Sequence, residues 1–342
     1  MEFNIKNMIR PHLLDSKSYT SLRNSYLQKE VVLLDANENP FGSYNRYPDA
    51  EHLQLKLKLA EINEVQPEQL FLGNGSDELI DLAMRMFCEP TQDAILVFNP
   101  SFVMYEISAK LNNLDVEKLQ LNSDFQLEKE VFQDVISKTK AKILFLCSPN
   151  NPTGNSIDDL EFYIQSFAGI VIVDEAYIEF SKEVSAVSLL AKYPNLIVLK
   201  TLSKAYGMAG LRIGVGFASP EIAVLFNQFK APYNISSESQ KLALKQLENL
   251  EELQKNISII LKERDHLKVS LEKISSISKI FPSDANFFLI EFKKAEIAYQ
   301  KLLEENILTS LRHPALKNCL RITVGTAEEN SKLLNVLSQI PS

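Results

Sequence analysis

Four groups of polar residues punctuate the middle of this 342-residue sequence, each at the end of a predicted strand. In order they are Ser148-Pro149-Asn150-Asn151-Pro152-Thr153-Gly154, Asp174-Glu175-Ala176-Tyr177, Thr201-Leu202-Ser203-Lys204, and Arg212. The residue types divide the chemistry among them. A lysine amine such as that of Lys204, once deprotonated, is a nucleophile toward a carbonyl carbon. Asp174 closes the apolar run Ile170–Val173, where an unpaired carboxylate is costly, so it requires a partner. Arg212 offers a planar fork that suits phosphate. A capped helix start is predicted at Gly73-Asn74-Gly75-Ser76-Asp77-Glu78. Two glycines there permit a tight turn, Ser76 or Asp77 can cap the helix that follows, and the free N–H groups of a helix start can hold an anion.

The elements that must position these groups are legible in the apolar runs. Ala94–Phe98, Lys142–Leu146, Ile170–Val173 and Leu196–Leu199 are short and rich in β-branched residues, with helical patterns between most of them. Continuous rather than alternating apolar runs suit strands buried on both faces, as in a parallel sheet. Ligands bind beyond the carboxyl ends of strands in such sheets, so the four groups converge on one crevice. After Gly75, Leu79, Leu82, Ala83 and Met86 fall on one helical stripe. The alternation ends near Ala231-Pro232-Tyr233. A long charged helical region from about Ser237 to Ile277 follows, then Asn286–Phe292, a helix around Ala295–Asn306, a segment at Leu320–Val324 and a last helix. The expected organisation is an irregular arm at 1–35 lying against a partner or the small domain, a large α/β domain at 36–232 and a smaller α+β domain at 233–342.

Composition narrows the function classes. A net charge of −8 argues against broad nucleic-acid or anionic-membrane binding, since both need a basic face. The first 35 residues are too short and too weakly basic for a DNA-binding helix-turn-helix, which sets aside a regulatory domain that does no turnover. The start has no apolar signal region and no run is long enough to span a membrane, so a cytoplasmic protein is expected. Cys88, Cys147 and Cys319 lie far apart in apolar runs and read as buried free thiols. The four histidines, at 12, 52, 266 and 313, show no clustering with carboxylates or cysteines, and no metal site is expected.

Taken together, the motifs resemble the fold-type I aminotransferases, over nearly the whole chain. They are RPHLL at Arg10–Leu14, DANENP at Asp35–Pro40, RYP at Arg46–Pro48, GNGSDE at Gly73–Glu78, CSPNNPTG at Cys147–Gly154, VDEAYIEF at Val173–Phe180, TLSKAYGMAGLRIGVG at Thr201–Gly216 and LRITVGT at Leu320–Thr326. Within that family the chain is most similar to the histidinol-phosphate aminotransferases. The resemblance implies a pyridoxal 5'-phosphate cofactor held as a Schiff base on Lys204, whose freed amine then carries the proton from substrate carbon to cofactor. It implies that Asp174 pairs with the protonated ring nitrogen, that Tyr177 and Asn151 donate to the ring's phenolic oxygen, and that Phe102 stacks on the ring. The N–H groups after Gly75 at Ser76 and Asp77, the hydroxyls of Thr201 and Ser203, and Arg212 are implied phosphate ligands. Tyr47 would reach the phosphate in a neighbouring subunit's site, making the working unit a homodimer.

Substrate residues implied by the same resemblance are Arg321, Tyr19, Asn37 and Arg312. Histidinol phosphate has no α-carboxylate whereas glutamate does, so one arginine would serve the phosphate of one substrate and the carboxylate of the other. Two departures from the family pattern bear on the substrate. The segment Ile307-Leu308-Thr309-Ser310-Leu311-Arg312 has serine at the ungapped position of a family arginine, with Arg312 two residues on, and Val103 stands where glycine commonly follows the aromatic. Relatives that decarboxylate threonine phosphate or transaminate aromatic amino acids share the cofactor and form the alternative, because the bond broken depends on which lies perpendicular to the ring.

Overall fold

The computed structural model describes residues 3–16, 23, 31–312 and 314–341. Helix α1 (Leu53–Ile62) leads into β1 (Leu70–Asn74) and α2 (Ser76–Phe87). Strands and helices then alternate through β2 (Ala94–Asn99), α3 (Met104–Leu111), β3 (Asp115–Gln120), α4 (Lys129–Ile136), β4 (Ala141–Cys147) and α5 (Leu160–Ser166). Next come β5 (Ile170–Asp174), β6 (Leu196–Thr201), β7 (Ile213–Ala218) and α6 (Pro220–Phe229). The remainder comprises α7 (Ser237–Leu247), α8 (Leu250–Leu271), β8 (Ile277–Ile280), β9 (Phe287–Phe292), α9 (Ala295–Glu304), β10 (Ser310–Leu311), β11 (Cys319–Thr323) and α10 (Ala327–Ser338).

Among the described residues seven strands form one sheet in the order β1-β7-β6-β5-β4-β2-β3. The apolar runs explain its burial on both faces. In β4, β5 and β6, Ile143, Phe145, Ile170, Ile172, Ile197 and Leu199 point into one core. Leu144, Leu146, Val171, Val173, Leu196 and Val198 point into the other. This is the α/β architecture of a mostly parallel sheet flanked by helices that the runs predicted. One strand departs from it: β7 pairs antiparallel with both β6 and β1. A second, four-stranded antiparallel sheet in the order β10-β11-β9-β8 packs on α8, α9 and α10 around Leu267, Phe288, Ile290, Leu302 and Leu337.

Three local differences from the sequence reading have physical causes. The long charged region is two helices, because Asn249 breaks it and caps α8, its side chain accepting from the Glu252 N–H at 3.2 Å. Where that region was expected to end, Ile277–Ile280 form a strand, β8, that pairs antiparallel with β9. Helix α2 is capped by Gly75, at φ +79°, rather than by Ser76 or Asp77, which sit in its first turn, where the acidic groups favour the helix dipole. In the N-terminal arm, Ile9 is buried on the core beside α2 and its neighbour Arg10 donates its backbone N–H to the Met86 carbonyl at 2.8 Å. All three cysteines are buried free thiols. No helix among the described residues is long and apolar enough to cross a membrane.

Candidate active site

The carboxyl ends of the parallel strands open into a cavity of about 400 Å³. Asp174 ends β5, Thr201 ends β6, and Lys204 follows three residues on. Arg212 arrives differently from the expectation that it closes a strand: it precedes β7. Because β7 runs antiparallel, its amino end lies at the edge where its neighbours have their carboxyl ends, and Arg212 reaches the same crevice. The cavity wall comprises Ser76, Asp77, Phe102, Asn151, Asp174, Tyr177, Thr201, Ser203, Lys204, Arg212, Arg312 and Arg321, all singled out in the sequence. Gly75, Val103, Cys147, Ala176 and Ala209 complete it.

Asp174 is 2% exposed. Its Oδ1 accepts from the Ala176 N–H at 3.1 Å and its Oδ2 from the Tyr105 hydroxyl at 2.8 Å. Burial pushes its pKa up to about 6, against the opposing pull of those two donors. Tyr105 is absent from the sequence-derived residues. The available signal was its hydroxyl, three positions after Phe102 on a helix that packs under the sheet, since a buried tyrosine needs a partner.

Asn151 donates from Nδ2 to the Tyr177 hydroxyl at 3.5 Å, and Arg321 Nη1 donates to Asn151 Oδ1. The Lys204 Nζ lies 5.7 Å from the centroid of the Tyr177 ring. Partial burial, then the charges of Arg321 and Arg212, lower its pKa, which enlarges its neutral, nucleophilic fraction. Burial likewise pushes the Tyr177 phenol well above its ordinary range.

The anion-binding groups form two sets, one from each sheet. At the large sheet, the Gly75 N–H donates to the Arg212 carbonyl at 2.8 Å, tying the start of α2 to the arginine. A Cβ on Gly75 would come within 2.7 Å of Arg212 Nη2 and push the guanidinium aside, and the backbone there, at φ +79°, favours glycine. Gly214 serves the same junction, since its Cβ would meet the Ser76 nitrogen at 2.3 Å. The Thr201 hydroxyl lies 3.3 Å from the Ile213 carbonyl, to which it donates, and accepts from the Ser203 N–H at 3.1 Å. Its proton therefore holds the turn.

At the second sheet, Ser310 is the cross-strand partner of Arg321. Arg312, two residues on, projects from the same face of the pleat. Arg312 lines the cavity, and its Nη1 donates to the Ser310 Oγ at 3.5 Å. Arg312 Nε is buried without a hydrogen-bond partner among the described residues. Burial and then the charge of Arg321 lower the Arg312 pKa. Two guanidiniums that repel each other beside an orphaned donor are the signature of a site completed by an anion.

Two expected residues lie elsewhere. Tyr47 and Asn37 line a second cavity with Arg46 and Ser236–Glu238, away from Lys204. Tyr47 is half exposed and stacks on Tyr233 with centroids 4.5 Å apart. Tyr19 lies outside the described residues. The Lys204 cavity thus combines an aromatic wall, a buried carboxylate, a nucleophilic amine and two anion sets. Those features fit a flat aromatic ligand with an anionic tail together with an anionic second molecule.

Comparison with known proteins agrees with this geometry. A family profile described as aminotransferase class I and II matches residues 13–337. A histidinol-phosphate aminotransferase from Flavobacterium psychrophilum is 44% identical, over 99% of each chain. The solved histidinol-phosphate aminotransferase from Clostridium acetobutylicum superposes with a TM-score of 0.78 at 26% identity, covering 86% of this chain and 90% of that one. The Sinorhizobium meliloti histidinol-phosphate aminotransferase, solved with pyridoxal-5'-phosphate, shares the fold with a TM-score of 0.78 at 23% identity, covering 89% of each chain.

Proposed function

The chain belongs to the class I and II aminotransferases, and we propose that it transfers the amino group of L-histidinol phosphate to 2-oxoglutarate. The products are imidazole acetol phosphate and L-glutamate, a step of histidine biosynthesis carried out in the cytoplasm. The observation that carries this reading is the Arg312–Arg321 pair facing the same cavity as Lys204. Both substrates present an anion a few bonds from the reacting carbon, a phosphate in one and a carboxylate in the other. A pair of forks accepts either.

Pyridoxal 5'-phosphate, when bound, supplies an aldehyde for amine exchange and a ring that accepts the electron pair left at the substrate carbon. The chain's own residues do the rest. Arg212, with the N–H groups of Ser76 and Asp77 and the hydroxyl of Ser203, holds the phosphate. Asp174 would pair with the ring nitrogen and hold a proton there, and Tyr177 and Asn151 would serve the phenolic oxygen. Phe102 stacks on the ring. Lys204 Nζ would anchor the cofactor, and as a free amine would carry the proton taken from the substrate carbon. Its lowered pKa supports this role, since a neutral amine is needed to accept that proton. Arg312 and Arg321 orient the substrate. Residues 36–232 supply the cofactor site and residues 233–342 the substrate arginines.

The active unit in this reading is a homodimer, in which Tyr47 reaches the neighbouring phosphate and Asn37 the neighbouring substrate. Its support is the exposure of Val32, Leu34, Phe41 and Tyr44, each more than three-quarters exposed, in the segment that carries Tyr47. The test is an absorbance spectrum of purified, cofactor-loaded protein. The cofactor band is expected to bleach with histidinol phosphate and return with 2-oxoglutarate. A band that ignores histidinol phosphate but responds to another amine would refute the substrate.

A further inference from the structure

Tyr105 occupies a position that none of the roles above uses. It lies on α3, outside the cavity wall, and is 1% exposed. Its hydroxyl donates to Asp174 Oδ2 at 2.8 Å. Its ring stacks on Phe145 with centroids 4.5 Å apart and meets Phe102 edge-on at 5.5 Å. One side chain thus touches both the carboxylate and the aromatic wall of the cavity. Burial and the Asp174 charge hold the phenol well above its ordinary range, so it remains a donor at any working pH.

We propose that Tyr105 is a positioning residue: through its hydroxyl it fixes the Asp174 carboxylate, and so decides whether the proton between Asp174 and the cofactor's ring nitrogen rests on the nitrogen. This rests on the transamination reading, in which a charged ring nitrogen is required. The argument is one of competing basicities. A carboxylate that accepts a strong hydrogen bond is a weaker base, and it leaves a shared proton on its other partner. Several charges and donors face Asp174 from the surrounding elements. They are Asp77 from α2, Cys147 from β4, Ala176 and Tyr177 from the loop after β5, and Lys204 after β6. Asp77 raises its basicity, whereas the Ala176 N–H and Lys204 lower it. Tyr105 is the largest of the lowering influences. Removing that hydroxyl makes Asp174 a stronger base and draws the proton off the ring.

The test compares cofactor-loaded wild type with Y105F, using cofactor labelled with nitrogen-15 in the ring. In wild type the label is expected to report a protonated nitrogen. In Y105F the signal moves toward the unprotonated form, and the pH midpoint of the cofactor band rises by roughly one unit, the shift worth one hydrogen bond to a charged group. Turnover falls about tenfold, with KM little changed, on the same estimate. A purely structural role would lower turnover and leave the nitrogen signal and band midpoint in place. A second variant, 3-fluorotyrosine at position 105, keeps the packing and strengthens the donor, and its band midpoint moves down. If Y105F does not fold, this variant decides. Wild type that holds no cofactor would sink the functional reading and the role of Tyr105 together. Wild type with a protonated ring nitrogen, and variants whose signal and midpoint match it, would overturn the role of Tyr105 alone.

Discussion

Of the places where this molecule buries ionisable groups, two behave differently. At the sheet's carboxyl edge, Asp174 is 2% exposed and lines the cavity. Between α1 and α6, His52 is fully buried and Lys230 is 8% exposed, with Lys230 Nζ in hydrogen-bond contact with His52 Nδ1 at 3.2 Å. His52 precedes α1 in the left-handed region at φ +52°, and Lys230 follows α6. Burial lowers the histidine pKa to about 3 and that of the lysine to about 8. Burial therefore perturbs both places by the same physics. They differ in what faces the group. Asp174 has a donor on each oxygen and still fronts a cavity, whereas His52 and Lys230 are two bases meeting inside packing. A perturbed acid or base marks a site only when something can reach it.

Asp174→Asn tests the first half of that contrast. The amide keeps the shape, accepting from the Ala176 N–H and donating to Tyr105. Turnover is expected to fall by about 10²–10⁴-fold, as for loss of a proton-holding group. Stability should move the other way. Asp174 has a raised folded pKa, so its burial costs stability as pH rises from the unfolded value of 3.8 through about 6. The cofactor-free variant should therefore be at least as stable as wild type above pH 6, measured by urea unfolding. A variant that loses stability and keeps turnover would place Asp174 with His52 as a packing element.

Arg312→Ala probes a cavity-facing charge of smaller effect. It should raise KM for histidinol phosphate by about 10–100-fold, the worth of a charge-assisted hydrogen bond, with turnover changed far less. An unchanged KM would assign the phosphate to Arg321 alone. His52→Asn, tolerant of the left-handed backbone, should leave turnover within about threefold of wild type. Its signature is in acid stability. His52 has a depressed folded pKa, so below its unfolded value of 6.5 the unfolded chain takes up a proton that the folded chain refuses, down to about 3. Wild-type stability falls over that window by the slope of one proton, and the variant should lose that contribution in urea titrations at a series of pH values. A variant retaining the wild-type acid slope would show that His52 is not its source.

The cavity's Asp174 and Lys204 were legible because each follows an apolar run that announces its strand. Asp174 after Ile170–Val173, and Lys204 after Leu196–Thr201, need only local pattern and the rule for parallel sheets. Arg212 reached the right place for a different reason, since the glycines of Ile213–Ala218 hid the reversed direction of β7. The exposed edge strand β3, with the pattern Asp115-Val-Glu-Lys-Leu-Gln120, carries too few apolar residues to announce itself. Tyr105 was not legible because its partner lies 69 residues away and on another element. The displacement of Arg312 became interpretable only when the pairing of Ser310 with Arg321 fixed the face on which each side chain lies.

The junction of Gly75 with Arg212 has a consequence for synthesis. A ribosome releases β1 long before β7, yet among the described residues β7 is the only neighbour β1 has in the sheet. Leu70–Asn74 must therefore wait as an unpaired edge while the five intervening strands emerge, and the nascent chain carries an apolar segment in need of shielding. The anion cradle closes only when that long loop closes. Cofactor capture therefore waits for β7, and a chain truncated before Ile213 would contain the lysine without the strand that seats Arg212 against Gly75.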